Sequence, residues 1–323
     1  MTSSLDHLKI SRLEVSSKIN EQIQPYESLV QESFRCCLKG EDPDGKTITK
    51  IIAIGASVDN QPVGIALGSL SKNISSNPYK SMASAFLLEI NYLFVQPEYR
   101  NQHIGRSLLA KMQEEVESEV LPGSELTSSF VYSLDEPSTG AIEKIIAANR
   151  WGGVRPFMLS CCFDESVFDV PLVKLSYPEG FKDFPWNELK EDERQELKKL
   201  EEIKVFYHVV SPFNDEARID HSISRGLRYQ GHVVGWLITH RIDPDTIRYS
   251  AMYIERDLPT MSLAPPLIYN VIQKHSKNLS KRILIEVPLL YVASQWVEFI
   301  EKMFVPYAYQ VTRSMQAWNF TTT

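Results

Sequence analysis

The feature that most narrows the possible folds is a junction. Residues 84–95, SAFLLEINYLFV, carry the apolar character of a long strand, and residues 104–120 place apolar side chains at helical spacing before Pro122 and Gly123. A short polar turn holding one glycine, Gly105, joins the two. The first amides of a helix have no partner inside the helix, and its dipole puts partial positive charge there. The turn between Arg100 and Arg106 therefore forms an anion cradle, in which Gly105 permits close backbone approach and the two arginines add charge.

The surrounding pattern is mixed α/β, and it runs twice. A strand at LKISRLEV is followed by helical spacing over 19–39, closed by Gly40, Pro43 and Gly45. Two strands in 50–71 meet at a turn of Asp59, Asn60 and Gln61; after the junction come a strand at ELTSSFVYSL, a helix over 139–149 and a strand at VRPFMLSCCF. The second half repeats the outline: a strand at PLVKLSYP, a helix over 186–206 with a charged outer face, a strand pair in 224–243 and a strand at DTIRYSAMYIERD. A helix at PLIYNVIQKHSK, a strand at KRILIEVPLL, a helix at SQWVEFIEKMF and a closing strand at YAYQVTRSMQAWNF complete it. A chain of 323 residues suits two such domains, and the acids and proline of FDESVFDVP set the expected boundaries at 1–166 and 167–323.

Composition excludes several function classes. No stretch approaches the length of apolar chain a membrane helix needs, and the first residues, MTSSLDHLKI, lack the basic-then-apolar order of a secretory signal, so a cytoplasmic location is expected. A formal charge of −7 argues against general nucleic-acid binding and mildly favours cationic small molecules. The four cysteines form two adjacent pairs, Cys36 with Cys37 and Cys161 with Cys162, which suits reduced, buried thiols better than a metal site or a disulfide framework. His208, His221, His232 and His240 are too scattered to argue for a metal. Oligomeric state is not legible.

The string LFVQPEYRNQHIGRSLL resembles the cofactor-binding motif of the GNAT superfamily of N-acetyltransferases, through Val95, Pro97, Tyr99, Arg100, Ile104, Gly105, Leu108 and Leu109. The resemblance implies two tandem GNAT-like domains, each a mixed, mostly antiparallel central sheet flanked by helices. It also implies that acetyl-CoA is bound by the turn residues Arg100, Asn101, Gln102, His103, Ile104, Gly105, Arg106 and Ser107, gripping the pyrophosphate of coenzyme A, and by backbone groups of Leu93, Phe94 and Val95, pairing with its pantetheine arm. His103 stands where the motif has its first glycine, yet it keeps the backbone donor.

Acetyl transfer to a primary amine by direct attack in a ternary complex needs a base, an oxyanion donor and an acid for the leaving thiolate. Glu89 is the expected base, six residues before Val95 where relatives carry a catalytic glutamate, and Asn91, two residues on, is expected to orient the acceptor, a small-molecule or peptide amine. The backbone near Phe94 or Val95 would meet the oxyanion. The acid is less plain, since Ile146 occupies the place of the family's tyrosine, leaving Tyr132 and Ser133 as substitutes. In the second half no glycine marks the matching turn and Pro259, Pro265 and Pro266 remove donors, so that domain reads as a degenerate copy. A non-catalytic acyl-CoA sensor is the rival reading.

Overall fold

The computed structural model describes residues 7–41, 50–73, 85–171, 175–206, 208–277 and 282–322. Two compact units emerge: Met1–Pro156 together with Ser314–Thr323, and Phe157–Arg313.

In the first unit, strands Leu8–Leu13 (β1), Lys50–Val58 (β2), Gln61–Asn73 (β3) and Ala85–Val95 (β4) form an antiparallel meander, and Glu125–Ser133 (β5) joins β4 in parallel. Asp59 and Asn60 make the β2–β3 turn with φ of 50° and 63°, the left-handed pair that a two-residue hairpin demands. Helices Ile104–Glu119 (α1) and Thr139–Ala148 (α2) cover one face. Leu108, Leu109, Met112 and Val116 of α1 are buried there with Ile52 and Ile54 of β2 and Ile90 of β4. Removing each such side chain from water is worth roughly 2 kcal/mol. The opposite face is covered by two short 3-10 segments, Gln24–Leu29 and Glu32–Lys39, packed on Ile51, Ala53, Ile65 and Leu67. The single helix expected over 19–39 is thus broken: Pro25 sits in the first turn of one segment, and Gln31 is extended between them. Two of the expected closing residues, Pro43 and Gly45, lie outside the described residues.

The strand Gly152–Phe163 (β6) enters the second unit at residue 157, and the unit continues through Phe181–Pro185 (β7), Glu191–Glu202 (α3), Arg225–Tyr229 (β8), His232–Asp243 (β9), Thr246–Ile254 (β10), Thr260–His275 (α4), Arg282–Pro288 (β11) and Ser294–Met303 (α5). β7, β8, β9 and β10 are antiparallel neighbours, β11 joins β10 in parallel, and β6 pairs antiparallel with β11. The helix expected over 186–206 begins later, at Glu191, after a 3-10 turn at Trp186–Glu188. Of the strand expected over 171–178, residues 172–174 lie outside the described residues, and residues 175–178 are irregular; the first strand proper of this unit's meander is β7.

The expected domains, 1–166 and 167–323, part from these units at their ends. The final strand Gln310–Thr322 (β12) pairs from Ser314 onward with β5, so it completes the first unit's sheet, while residues 158–163 of β6 pair with β11 and belong to the second. Hydrogen-bonded neighbours decide membership, and sequence order does not reveal them.

Candidate functional site

The first unit's sheet opens at its centre. β4 pairs with β5 only from Ala85↔Glu125 to Ile90↔Phe130, whereas on its other side it stays paired with β3 as far as Val95↔Gly64. The last part of β4 therefore has no strand on its β5 side. Asn91 is an extra residue in the ladder, falling between the pairs Ile90↔Gly68 and Tyr92↔Leu67. Gln96 N–H donates to Val63 O at 2.9 Å, so by the alternation of an antiparallel ladder Phe94 points its backbone groups toward β3, and those of Leu93 and Val95 point into the gap. Of the two residues considered for the oxyanion donor, this orientation favours Val95. The Val95 carbonyl is held by Arg100 Nε at 3.0 Å, and the same guanidinium lies 6.0 Å from the Phe94 ring centre.

At the mouth of the gap lies the turn. Arg100 N–H bonds Pro97 O at 3.3 Å and Ser107 N–H bonds His103 O at 3.0 Å; between them, the amides of Asn101, Gln102, His103, Ile104, Gly105 and Arg106 make no hydrogen bond to any of the described residues. Such a run of unpaired donors at a helix start is suited to a polyvalent anion. Asn101 and His103 reach it through left-handed backbone, φ 61° and 62°, a region where glycine is least strained; this is the local reason the motif favours glycine at the place of His103. Gly105 also makes a contact with α2. A Cβ there would come within 2.8 Å of Ile145 Cδ1, so the absent side chain lets α2 pack against the start of α1.

Glu89 sits opposite Ser69 of β3 and Ser129 of β5, half-buried, on the face of the sheet away from α1. Asn91 shares that face, because its Nδ2 donates to Ser69 Oγ at 2.5 Å. Gln316, on β12, donates to Ser129 Oγ at 2.9 Å, extending the polar floor. Because Asn91 is a bulge, the alternation then slips: Tyr92 and Phe94 continue on the Glu89 face beside Phe34, while Leu93 and Val95 turn toward α1. Ser69, Ser129 and Gln316 were not anticipated. The period-two polar pattern within each strand is their only trace in the sequence, and it does not say which strands are neighbours.

Tyr132, on β5, is buried, and its hydroxyl has no partner among the described residues. Burial, and behind it the charge of Glu143, pushes the phenol above its ordinary range, so it keeps its proton through neutral pH. Ile146 is buried in the core beside it and offers no hydroxyl from α2.

The second unit repeats the opening but not the cradle. β10 pairs with β11 only from Thr246↔Arg282 to Tyr249↔Ile285 and with β9 as far as Ile254↔Gly235, with Ser250 bulged as Asn91 is. In the following turn, Leu258, Thr260 and Ser262 donate their amides to Glu255, Leu258 and Pro259 carbonyls, at 3.1, 2.8 and 2.9 Å, and Pro259 has none. The prolines act differently than expected: only Pro259 lies at the helix start, and Pro265 and Pro266 fall in the second turn of α4. The gap beside Tyr249 is lined by Met252, Ile268, Val287, Trp296 and Phe304 and leaves a cavity of only about 50 Å³. No cluster of metal-ligating side chains occurs among the described residues, and no helix among them is long and apolar enough to cross a membrane.

Residues 16–143 match the acetyltransferase (GNAT) family. Over nearly the whole chain the fold is that of solved GNAT proteins. A GCN5-related N-acetyltransferase from Sphaerobacter thermophilus aligns with a TM-score of 0.57 at 12% identity, covering 98% of this chain and 96% of that one. The GCN5-related glucosamine N-acetyltransferase region of a fungal multi-domain GH3 β-N-acetylglucosaminidase aligns with a TM-score of 0.58 at 10% identity, covering 97% of this chain and 38% of that one. No curated protein matches the sequence. The stretch that matches the acetyltransferase (GNAT) family thus lies in the first unit, while the fold over nearly the whole chain is that of these solved proteins.

Proposed function

We propose that the first unit transfers the acetyl group of acetyl-CoA to a primary amine by direct attack in a ternary complex. The observation that carries this reading is the run of six unpaired amides from Asn101 to Arg106, set at the mouth of the gap between β4 and β5. These donors, with Arg100 and Arg106, suit a diphosphate, and the backbone groups of Leu93 and the N–H of Val95, turned into the gap, suit the amide-bearing pantetheine arm. Bound there, acetyl-CoA supplies an activated thioester. The protein's part is to hold the acceptor and move protons. Glu89 takes a proton from the acceptor's ammonium, freeing the amine lone pair to attack the thioester carbonyl, Asn91 and Ser69 orient the nitrogen, and Val95 N–H faces the carbonyl oxygen as charge develops. Tyr132, buried and with no hydroxyl partner among the described residues, is the group suited to protonate the leaving thiolate. The second unit, whose turn amides at Leu258, Thr260 and Ser262 are engaged and whose gap is largely filled, takes no coenzyme A.

The rival reading, an acyl-CoA sensor, draws on Ile146 standing where a hydroxyl would serve. Incubation with acetyl-CoA and a panel of primary amines separates the two. Free thiol released in step with acetylated amine is expected; tight coenzyme A binding with no thiol released across the panel would establish the sensor, and no affinity for coenzyme A would remove both.

A further inference from the structure

The second unit holds a polar cavity at the place on its own sheet where the first unit holds Glu89. It measures about 160 Å³ and is lined by Asn214, Asp215, His240, Arg248, Ser250 and Glu286, over an apolar base that includes Met158 and Pro288. The registers of the two sheets match residue for residue. Arg248 faces His240 of β9 as Glu89 faces Ser69 of β3, and Ser250 is bulged as Asn91 is. The second copy has therefore kept the backbone of an acceptor site and exchanged its carboxylate for a guanidinium.

That guanidinium is oriented by a directed chain of hydrogen bonds. His240 Nε2 lies 2.8 Å from the Asn214 carbonyl, which can only accept, so Nε2 carries the proton and Nδ1 is left as an acceptor. Ser250 Oγ, 2.7 Å from Nδ1, must donate to it, and in turn accepts from Arg248 Nε at 2.8 Å. Burial favours the neutral imidazole this chain requires. With Nε so engaged, the Nη groups of Arg248 have no hydrogen-bond partner among the described residues; Glu286 Oε2 forms an ion pair with the guanidinium, 3.8 Å from Nε, and Asp215 is paired with Arg218 at 3.4 Å, so a ligand's ammonium would share each carboxylate with an arginine. The cavity thus presents the two-pronged donor edge of an arginine beside the carboxylates of Glu286 and Asp215.

We infer that this cavity binds an α-amino acid or a closely similar small zwitterion, its carboxylate on the Nη edge of Arg248 and its ammonium toward Glu286 and Asp215. A plain anion would meet two carboxylates and a plain cation would meet Arg248, whereas a zwitterion answers both signs. Because the cavity is part of the second unit alone, the inference stands apart from acetyl transfer in the first.

The test is calorimetric titration of the full chain with each common α-amino acid at up to about 10 mM, alongside propionate and ethylammonium as half-ligands. At least one amino acid is expected to bind about tenfold or more tightly than either half-ligand. Arg248→Gln should weaken that binding at least about tenfold, the loss of a charge-assisted pair, and Ser250→Ala, which keeps the guanidinium but removes its anchor, by roughly threefold. Affinity for coenzyme A should be unchanged in both, and Glu89→Gln should leave the amino-acid affinity unchanged. Binding by no amino acid overturns the inference. So does binding lost in Glu89→Gln yet retained in Arg248→Gln or Ser250→Ala, which would assign the ligand to the acceptor face of the first unit.

Discussion

Glu89 and Arg248 occupy the same place in the two units. Each lies on the strand that parts from its parallel neighbour, each faces a polar residue of the preceding strand, and each is followed two residues later by a bulge. The bulge and the parting of strands are set by backbone pairing, which tolerates exchange of side chains. What differs is how the backbone donors at the next helix start are used. In the first unit six consecutive amides are left unpaired, and in the second the turn bonds to itself and carries a proline. The comparison teaches that the same backbone frame can leave helix-start donors unpaired or satisfy some of them within the turn, with the fold intact.

The sharpest way to break the comparison is at Glu89. Glu89→Gln should lower kcat about a hundredfold or more, the usual worth of a general base, with affinity for coenzyme A unchanged. An unaltered rate and pH profile would mean that Glu89, like Arg248, serves a role other than proton transfer. Next in size is Arg106→Pro. Since that amide makes no intrachain bond and a first helical turn tolerates proline, the fold should survive while one donor and one charge are lost. Equilibrium binding should show coenzyme A affinity falling about 10- to 100-fold, against roughly threefold for Arg106→Ala, which keeps the amide. An equal effect in the two would assign the cradle to the side chain alone.

A third test concerns what holds the second unit together without a bound nucleotide. Arg228 donates to both oxygens of Glu193, at 2.6 and 2.8 Å, and its guanidinium lies 3.5 Å from the centre of the Phe184 ring. Glu193→Gln should cost about 2 kcal/mol in denaturant unfolding of that unit. The hydrogen bonds from Arg228 hold the Glu193 carboxyl below its ordinary value, so its contribution is full above the unfolded-state carboxylate range and is lost as pH falls through the lower folded value. Part of the unfolding free energy's acid dependence should therefore disappear in the variant. The smallest effect is expected at His103. His103→Gly keeps the amide and relieves left-handed backbone, so coenzyme A affinity should change by less than about threefold. A large loss would show the imidazole itself to be a ligand.

Legibility followed the range of the interactions. The strand, turn and helix around Gly105 and the hairpin at Asp59 and Asn60 are local, and both were readable from residue type and spacing. Over 19–39 the apolar spacing is helical, yet Pro25 and the extended Gln31 divide the segment into two 3-10 turns. Gly105 has a neighbour that its place in the turn does not reveal: a side chain there would meet Ile145, forty residues away in the chain. Ser69, Ser129 and Gln316 escaped notice because cross-strand partners are distant in sequence.

By itself the sequence determined where a helix start follows a polar turn, the place at which backbone donors lack a partner within the helix. It also determined that this turn occurs once and that its counterpart carries proline. Only the tertiary structure decided that β12 completes the first unit, that a bulge sends Asn91 and Tyr92 to one face, and that Arg248 takes the place of Glu89. The physical reason is that strand pairing joins residues by hydrogen bonds across large separations in the chain, and a single inserted residue in that ladder reverses every side chain beyond it.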